Sequence, residues 1–273
     1  MKIAALGSGS GGNAFLIASE RTALLVDGGF SARQLVERLE ALGVDPASVQ
    51  AIVVTHEHSD HTRGIGVFSR RFGTALHMTA ATRGACARLL RGDETIRLYE
   101  PGRGFTVGDL RVEAFLTVHD ALDPVAVTVT GLGCGTRIGI VTDLGRPTAG
   151  IRHSLGGCDF LVLEANHDEG LLRAGSYPAA VQARIASSHG HLSNRAAASF
   201  ARELLHPGLT GILLAHLSEE CNRPHLARQA VGTALKEAGW SGFLEVASQD
   251  EPTSFVDVSE LRLGRAGGQL SLL

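Results

Sequence analysis

Directly after the apolar run Ala51–Val54 the chain reads Thr55-His56-Glu57-His58-Ser59-Asp60-His61, with the metal-capable His56, His58, Asp60 and His61 inside six residues. Imidazole and carboxylate suit Zn²⁺ and its borderline neighbours, and a loop leaving a strand can aim alternate residues into one cavity. His56 and His58, two apart, can grip one ion while Asp60 and His61 turn toward a second. Clustered histidines buried without a partner would be costly, which argues against a chance polar loop. A purely structural zinc site is usually cysteine-rich and closed at four ligands. Here Cys86, Cys134, Cys158 and Cys221 stand far apart with no Cys-x-x-Cys pair, so they read as free thiols and not as thiolate ligands or a disulfide framework. Further candidates end apolar runs downstream: His119 and Asp120 after Arg111–Val118, Asp143 after Thr136–Val141, and His216 after Gly211–Ala215.

These residues need strands to carry them. Short runs rich in Val, Ile, Leu and Phe alternate with longer amphipathic stretches, an α/β pattern. Strands are expected over Lys2–Leu6, Ala14–Ala18, Thr22–Val26, Ala51–Thr55, Ala75–His77, Arg111–Val118, Val125–Thr130, Thr136–Val141, Phe160–Glu164, Gly211–Ala215 and Gly242–Val246. Helices are expected over Ser31–Leu42, Thr62–Arg71, Ala80–Leu90, Pro178–Ser187, Asn194–Leu205 and Pro224–Ala238. From about Val107 the strand-rich opening repeats, so two similar halves packed as a sandwich are expected, within one domain covering 1–273. With 44% hydrophobic and 19% charged residues the chain is globular. Its net charge of −3 gives no general attraction to nucleic acid or anionic membrane, so any polyanion site must be a local patch. No apolar run approaches the ~20 residues of a membrane span, and Met1–Leu6 runs straight into a strand pattern, so a cytoplasmic protein is expected. Gly7, Gly9 and Gly12, with Asp27 beyond them, superficially match a dinucleotide fingerprint. That motif requires a helix next, whereas Ala14–Ala18 and Thr22–Val26 around Ser19-Glu20-Arg21 read as a hairpin.

The His-x-His-x-Asp-His segment, preceded by Val26-Asp27-Gly28-Gly29 and followed by His119, Asp143 and His216, resembles the metallo-β-lactamase fold. More narrowly, Ser8-Gly9-Ser10-Gly11-Gly12-Asn13, His119-Asp120-Ala121-Leu122-Asp123-Pro124, Glu164-Ala165-Asn166-His167-Asp168, Gly190-His191-Leu192-Ser193-Asn194 and Ala215-His216-Leu217-Ser218 resemble the YycJ/WalJ-like branch, which is similar to tRNase Z and to the phosphodiesterase PhnP. The resemblance covers about Lys2 to Val246; Gly11 and Ala165 depart from it at positions where serine is common, and His189 adds an extra imidazole. It implies a four-layered αβ/βα sandwich with a dinuclear metal site and 5′–3′ exonuclease activity. It also implies that His56, His58 and His119 bind one ion, Asp60, His61 and His216 the second, and that Asp143 bridges them. Two ions roughly 3.5–4 Å apart can hold a hydroxide and neutralise both the attacking and leaving oxygens of a phosphodiester. Asp60 can accept a hydrogen bond from the attacking water, and Asp27 either orients a ligand histidine or fixes the Gly28-Gly29 turn.

In tRNase Z-like enzymes a strand-end Glu pairs with a His that protonates the leaving alkoxide, and Glu164 and His191 look like this pair. A sugar alkoxide leaves poorly, so a positioned acid is worth about 10²–10⁴ in rate, a device thioester and lactam hydrolases need less. Ser193 reads as the N-cap of a helix from Asn194, whose first N–H groups, with Arg195 close by, are expected to hold a phosphate. Ser10 and Asn13 are expected to contact substrate, and Arg63, Arg70, Arg71, Arg195 and Arg223 to supply positive charge. The expectation is therefore a phosphodiesterase with two divalent ions, Zn or Mn with Fe also compatible, acting on DNA. The alternatives are a small phosphodiester, thioester or lactone as substrate, and a non-catalytic module holding a structural metal.

Overall fold

The computed structural model describes the backbone of residues 1–270 and side chains through residue 264; residues 271–273 of the expected domain span lie outside it. The first half builds a sheet from β1 (Lys2–Gly7), β2 (Ala14–Ala18), β3 (Ala23–Val26), β4 (Val49–Val53), β5 (Ala75–Met78) and β6 (Ile96–Leu98), with β14 (Val256–Asp257) returning to its edge, in the order β14-β1-β2-β3-β4-β5-β6. The second half builds another from β7 (Phe105–Val107), β8 (Leu110–Leu116), β9 (Val125–Gly131), β10 (Arg137–Val141), β11 (Phe160–Glu164), β12 (Gly211–Ala215) and β13 (Phe243–Val246), ordered β13-β12-β11-β10-β9-β8-β7. In each sheet an antiparallel portion passes into a parallel one, β3-β4-β5-β6 and β10-β11-β12-β13. β2 pairs antiparallel with β3, the hairpin that excludes a dinucleotide-binding turn.

Alternation along the strands makes the layers. Ile3, Ala5, Ala51 and Val53 face Val127, Ile140, Val162 and Leu213 across the sandwich, while Leu6, Ile52 and Val54 face outward. The outward face of the first sheet is covered by α1 (Ala32–Ala41) and α3 (Ile65–Phe72) through Leu35, Leu39, Ile65 and Phe68. That of the second is covered by α5 (Ala149–Leu155), α8 (Asn194–Glu203) and α9 (Pro224–Glu237) through Ile151, Phe200, Ala227 and Val231. Strands buried on both faces explain why their sequences are near-continuous apolar runs. The result is a four-layered αβ/βα sandwich. The remaining helices are α2 (Ser59–Thr62), α4 (Ala80–Ala85), α6 (Glu169–Ala174), α7 (Ala179–Ile185) and α10 (Val258–Leu270).

Three elements differ from expectation near the site. The helix expected over Thr62–Arg71 is broken into α2 and α3 at Arg63-Gly64, where the chain runs against α1: a Cβ on Gly64 would sit 2.2 Å from the Phe30 carbonyl oxygen. The helix expected over Ala80–Leu90 ends at Ala85 and tightens into a 3₁₀ turn, Cys86–Arg88. The strand expected over Ala51–Thr55 ends at Val53, because Thr55 already turns to bond Asp27.

Candidate metal centre

The seven expected ligands converge at the ends of β4, β8, β10 and β12, one edge shared by both sheets. His56 and His58 lie in the loop after β4, Asp60 and His61 on the single turn α2, His119 after β8, Asp143 after β10 and His216 after β12. His56, His58 and His119 each offer a donor atom within 4.8 Å of the others, and so do Asp60, His61 and His216. Asp143 lies between the sets: its Oδ2 is 3.1 Å from His61 Nε2, and its Oδ1 is 3.4 Å from His216 Nε2 and 3.6 Å from His119 Nε2.

Hydrogen bonds around the cluster decide which ring nitrogens face inward. Asp27 can only accept, and it takes bonds from Thr55 N, Thr55 Oγ1 and His61 Nδ1 (2.8 Å), so His61 carries its proton on Nδ1 and turns Nε2 to the centre. Because Thr55 Oγ1 donates to Asp27, it accepts from His56 Nδ1 (3.0 Å), which leaves His56 Nε2 buried with no hydrogen-bond partner. His119 Nδ1 donates to the Gly190 carbonyl (3.1 Å) and turns its Nε2 to the centre, 3.1 Å from Asp120 Oδ1, while His58 reaches the same space through Nδ1, 3.4 Å from His119 Nε2. Outer partners that pin one nitrogen and present the other are the usual arrangement around metal-binding histidines.

A cation fits this donor set. His61 Nε2 and Asp143 Oδ2 confront each other with lone pairs, and Asp143 Oδ2 and His56 Nε2 are buried and unbonded. Burial disfavours a charged His61, yet Asp143, Asp27 and Asp60 around it outweigh burial and raise its pKa well above the ordinary imidazole value. Burial pushes up Asp60 and Asp143 too, but the neighbouring histidines prevail and both carboxyls are held below their usual range. His56 is lowered well below its ordinary value, first by burial and then by His61. The cavity thus demands positive charge, and nitrogen–oxygen donors of this kind accept Zn²⁺, Mn²⁺ or Fe.

Backbone packing holds the metal loop close. Asn13 N donates to Asp60 O, Gly28 N to His61 O and Gly29 N to Asn13 O. A Cβ on Gly29 would lie 1.7 Å from Asp60 O, so only glycine fits there. Asp27, Asp143 and His216 have φ of 63°, 56° and 56°, and they are the non-glycine residues with positive φ among those described.

Beside the cluster, Glu164 is wholly buried at the end of β11. Its Oε1 accepts from Asp143 N (3.2 Å) and His191 Nδ1 (2.8 Å), and its Oε2 from Leu144 N (3.1 Å) and Leu192 N (2.9 Å). Burial lowers the His191 pKa, but Glu164 and then Asp143 overcome it and raise the value to about 9. His191 Nδ1 is 3.9 Å from Asp143 Oδ1, which places this pair against the cluster.

The structure corrects several expectations about substrate contacts. Asn13 is fully buried, accepting from Ser8 Oγ and Gly9 N and donating to Gly9 O, and its Nδ2 also lies 3.3 Å from Asp60 Oδ2 and 3.2 Å from His61 Nε2, so it ties the glycine loop to the metal loop. Asn194 is also buried and exchanges hydrogen bonds with Asn222. Ser193 caps α8 by accepting from Ala196 N and donates to Glu169. Arg195 is drawn to Glu169 by two N–H bonds, and Arg223 donates to the carbonyls of Glu219, Glu220 and Asn222. Arg70 is paired with the buried Glu94. Ser10 remains exposed on its loop. His167 is buried, His189 is exposed beside Ser188, and Asp168 caps α6. Thr55 and Asp27 are the supporting residues whose joint task only the folded chain displays; the signal was their position at the ends of neighbouring strands.

Two α/β halves that meet in a cavity of histidines and aspartates define a metal-dependent hydrolase. The chain belongs to the metallo-beta-lactamase superfamily, whose family model matches residues 7–153. It is 32% identical over 237 residues to the exodeoxyribonuclease YycJ of Bacillus anthracis, covering 86% of this chain and 89% of that protein. It is 34% identical over 253 residues to the exodeoxyribonuclease WalJ of Streptococcus pneumoniae, covering 87% and 89%. Among solved structures, the metallo-beta-lactamase fold protein YhfI from Bacillus subtilis superposes with a TM-score of 0.72 at 19% identity, over 92% of this chain and 98% of the other. Among the described residues no helix is long and apolar enough to cross a membrane.

Proposed function

We propose that this chain hydrolyses phosphodiester bonds of DNA, as a 5′–3′ exonuclease, using two divalent ions. The observation that carries the proposal is the Glu164–His191 pair set against Asp143, a positioned acid beside a cation-demanding cavity. The exodeoxyribonuclease names of the two curated relatives support the choice of DNA. His56, His58 and His119 would hold one ion and Asp60, His61 and His216 the other, with the Asp143 carboxylate between the two sets. When bound, such ions neutralise charge on the phosphodiester and lower the pKa of water from about 15.7 toward about 7. Asp60, partly open to solvent, accepts a hydrogen bond from the attacking water and orients it. Glu164 only accepts, so it fixes the His191 proton on Nδ1 and stabilises the imidazolium, whose Nε2 proton goes to the leaving alkoxide. Of the residues expected to contact substrate, exposed Ser10 is the one left to meet it at the rim.

The test is degradation of a 5′-labelled and a 3′-labelled duplex with Zn²⁺ or Mn²⁺ added. Stepwise loss from the 5′ end, abolished by chelation and by Asp60→Asn, is expected. Intact DNA alongside hydrolysis of bis-p-nitrophenyl phosphate would replace DNA by a small phosphodiester.

A further inference from the structure

We infer that the exposed stripe of α3, together with the turn from Cys86 to Arg91, is the surface on which the phosphate backbone of duplex DNA docks. This rests on the nuclease reading and adds where the duplex beyond the scissile bond lies. Charge is distributed unevenly along the chain. Residues 63–103 carry eight arginines against Asp93, Glu94 and Glu100, a local +5 that leaves −8 for the remainder of a chain whose total is −3. A polyanion would find its local patch here and not on the molecule at large.

The placement fits a track leading away from the metal loop. Arg63 follows His61 by two residues at the joint between α2 and α3, and Val67 and Arg71 stand at i and i+4 on one face of α3. All three are exposed, whereas Ile65, Gly66, Phe68 and Ser69 are buried. At 1.5 Å per residue the eight residues of α3 span about 12 Å, enough for about three successive phosphates on one strand. The second row is fastened beside it. A Cβ on Gly66 would meet the Leu89 carbonyl oxygen at 2.3 Å. Arg88 and Arg91 are therefore carried against α3, both exposed. Arg70, between the rows, neutralises the buried Glu94, which also accepts from Arg91 N and Gly92 N and so shapes the turn. The other acids on this side are Asp93, exposed on the turn, and Glu57, whose carboxylate accepts from Leu122 N. Arg63, Arg71, Arg88 and Arg91 have no carboxylate partner among the described residues, in contrast to Arg195, held by Glu169. Arg71 rests over the Phe72 ring, 5.0 Å from its centroid, and none of the four has to break an ion pair to turn to phosphate.

The experiment measures the salt dependence of binding of a short labelled duplex to the full-length Asp60→Asn protein, alone and with Arg63→Ala, Arg71→Ala, Arg88→Ala and Arg91→Ala, singly and together. Each phosphate contact contributes about −0.9 to the slope of log K against log salt. The slope should flatten by about 0.9 per arginine and by up to about 3.6 in the quadruple variant, whose circular dichroism and melting should match the parent. A quadruple variant with an unchanged slope, or a flattening produced by Arg195→Ala or Arg223→Ala instead, overturns the inference. Loss of anionic-vesicle binding without loss of DNA binding would make it a lipid surface and overturns it as well. Wild-type protein that degrades DNA while the quadruple slope is unchanged leaves the nuclease reading standing and this inference fallen; wild-type protein active only on small diesters removes both.

Discussion

Replacing Glu164 by Gln tests the acid pair with a change of one atom type. Both carboxylate oxygens are fully used, each by two N–H donors, and the side chain is wholly buried. An amide offers one acceptor and one donor group. If its NH₂ faced Leu144 N and Leu192 N, two buried N–H groups would be orphaned at about 1–3 kcal/mol each. The cheaper arrangement keeps the oxygen there and turns the NH₂ to His191, which then accepts at Nδ1, so that only Asp143 N loses its partner. The expected destabilisation is therefore about 1–3 kcal/mol. At about 2–4 °C per kcal/mol for a chain of comparable size, the melting temperature should fall by about 2–12 °C. Chemistry should suffer more than the fold, because His191 becomes a neutral imidazole protonated at Nε2 and loses the carboxylate that raised its pKa to about 9. Turnover on an alkyl phosphodiester should drop by about 10²–10⁴, while bis-p-nitrophenyl phosphate, whose leaving group needs no proton, should be hydrolysed at a near wild-type rate. Thermal melting and paired kinetics on the two substrates measure both parts. A Gln variant that melts like wild type and turns over DNA normally would refute the reasoning.

His191→Ala should show the same contrast between alkyl and aryl esters while keeping its metal content; equal losses on both, or loss of metal by elemental analysis, would reassign the residue. Asp143→Ala should bind fewer ions than the about two per chain expected of the parent, since one carboxylate serves both donor sets; unchanged stoichiometry would refute the bridging role. Thiol chemistry should separate the cysteines at neutral pH. Burial pushes the Cys86 thiol up to about 11 and Cys158 to about 12, and it also raises Cys221. Cys134 is exposed, and hydrogen bonding from Thr136 overcomes burial to lower its pKa. Ellman's reagent should therefore find one fast thiol in the native protein, lost in Cys134→Ser, and three more after denaturation.

Local pattern was enough for the metal loop, because His56 to His61 lie within one strand-to-helix passage and their types alone restrict the chemistry. Strand ends were equally legible for Asp143 and His216, since an apolar run closing on a single polar residue marks where a chain leaves a sheet. What sequence could not settle was three-dimensional pairing. Asp27 stood between orienting a histidine and fixing a turn, and it does both, with positive φ and a hydrogen bond to His61 across 34 residues. Asn13 and Asn194 looked like substrate contacts because polar residues in glycine-rich or helix-start loops often are. Their amides are consumed by Gly9, Asp60 and His61 in one case and by Asn222 in the other, partners whose positions depend on the fold. Arg195 and Arg223 lie near the expected site in sequence, but Glu169 and the carbonyls after Ser218 claim them first. The helix break at Gly64 was hidden because its cause is the carbonyl of Phe30, in another segment.

The left-handed backbone at Asp143 and His216 sets stability and turnover against each other during selection. Each such residue costs about 1–2 kcal/mol relative to a conformation L-residues prefer, a cost that glycine escapes. A population screened for heat resistance alone should therefore accumulate glycine or asparagine at these two positions, and a population screened for hydrolysis should purge the same changes.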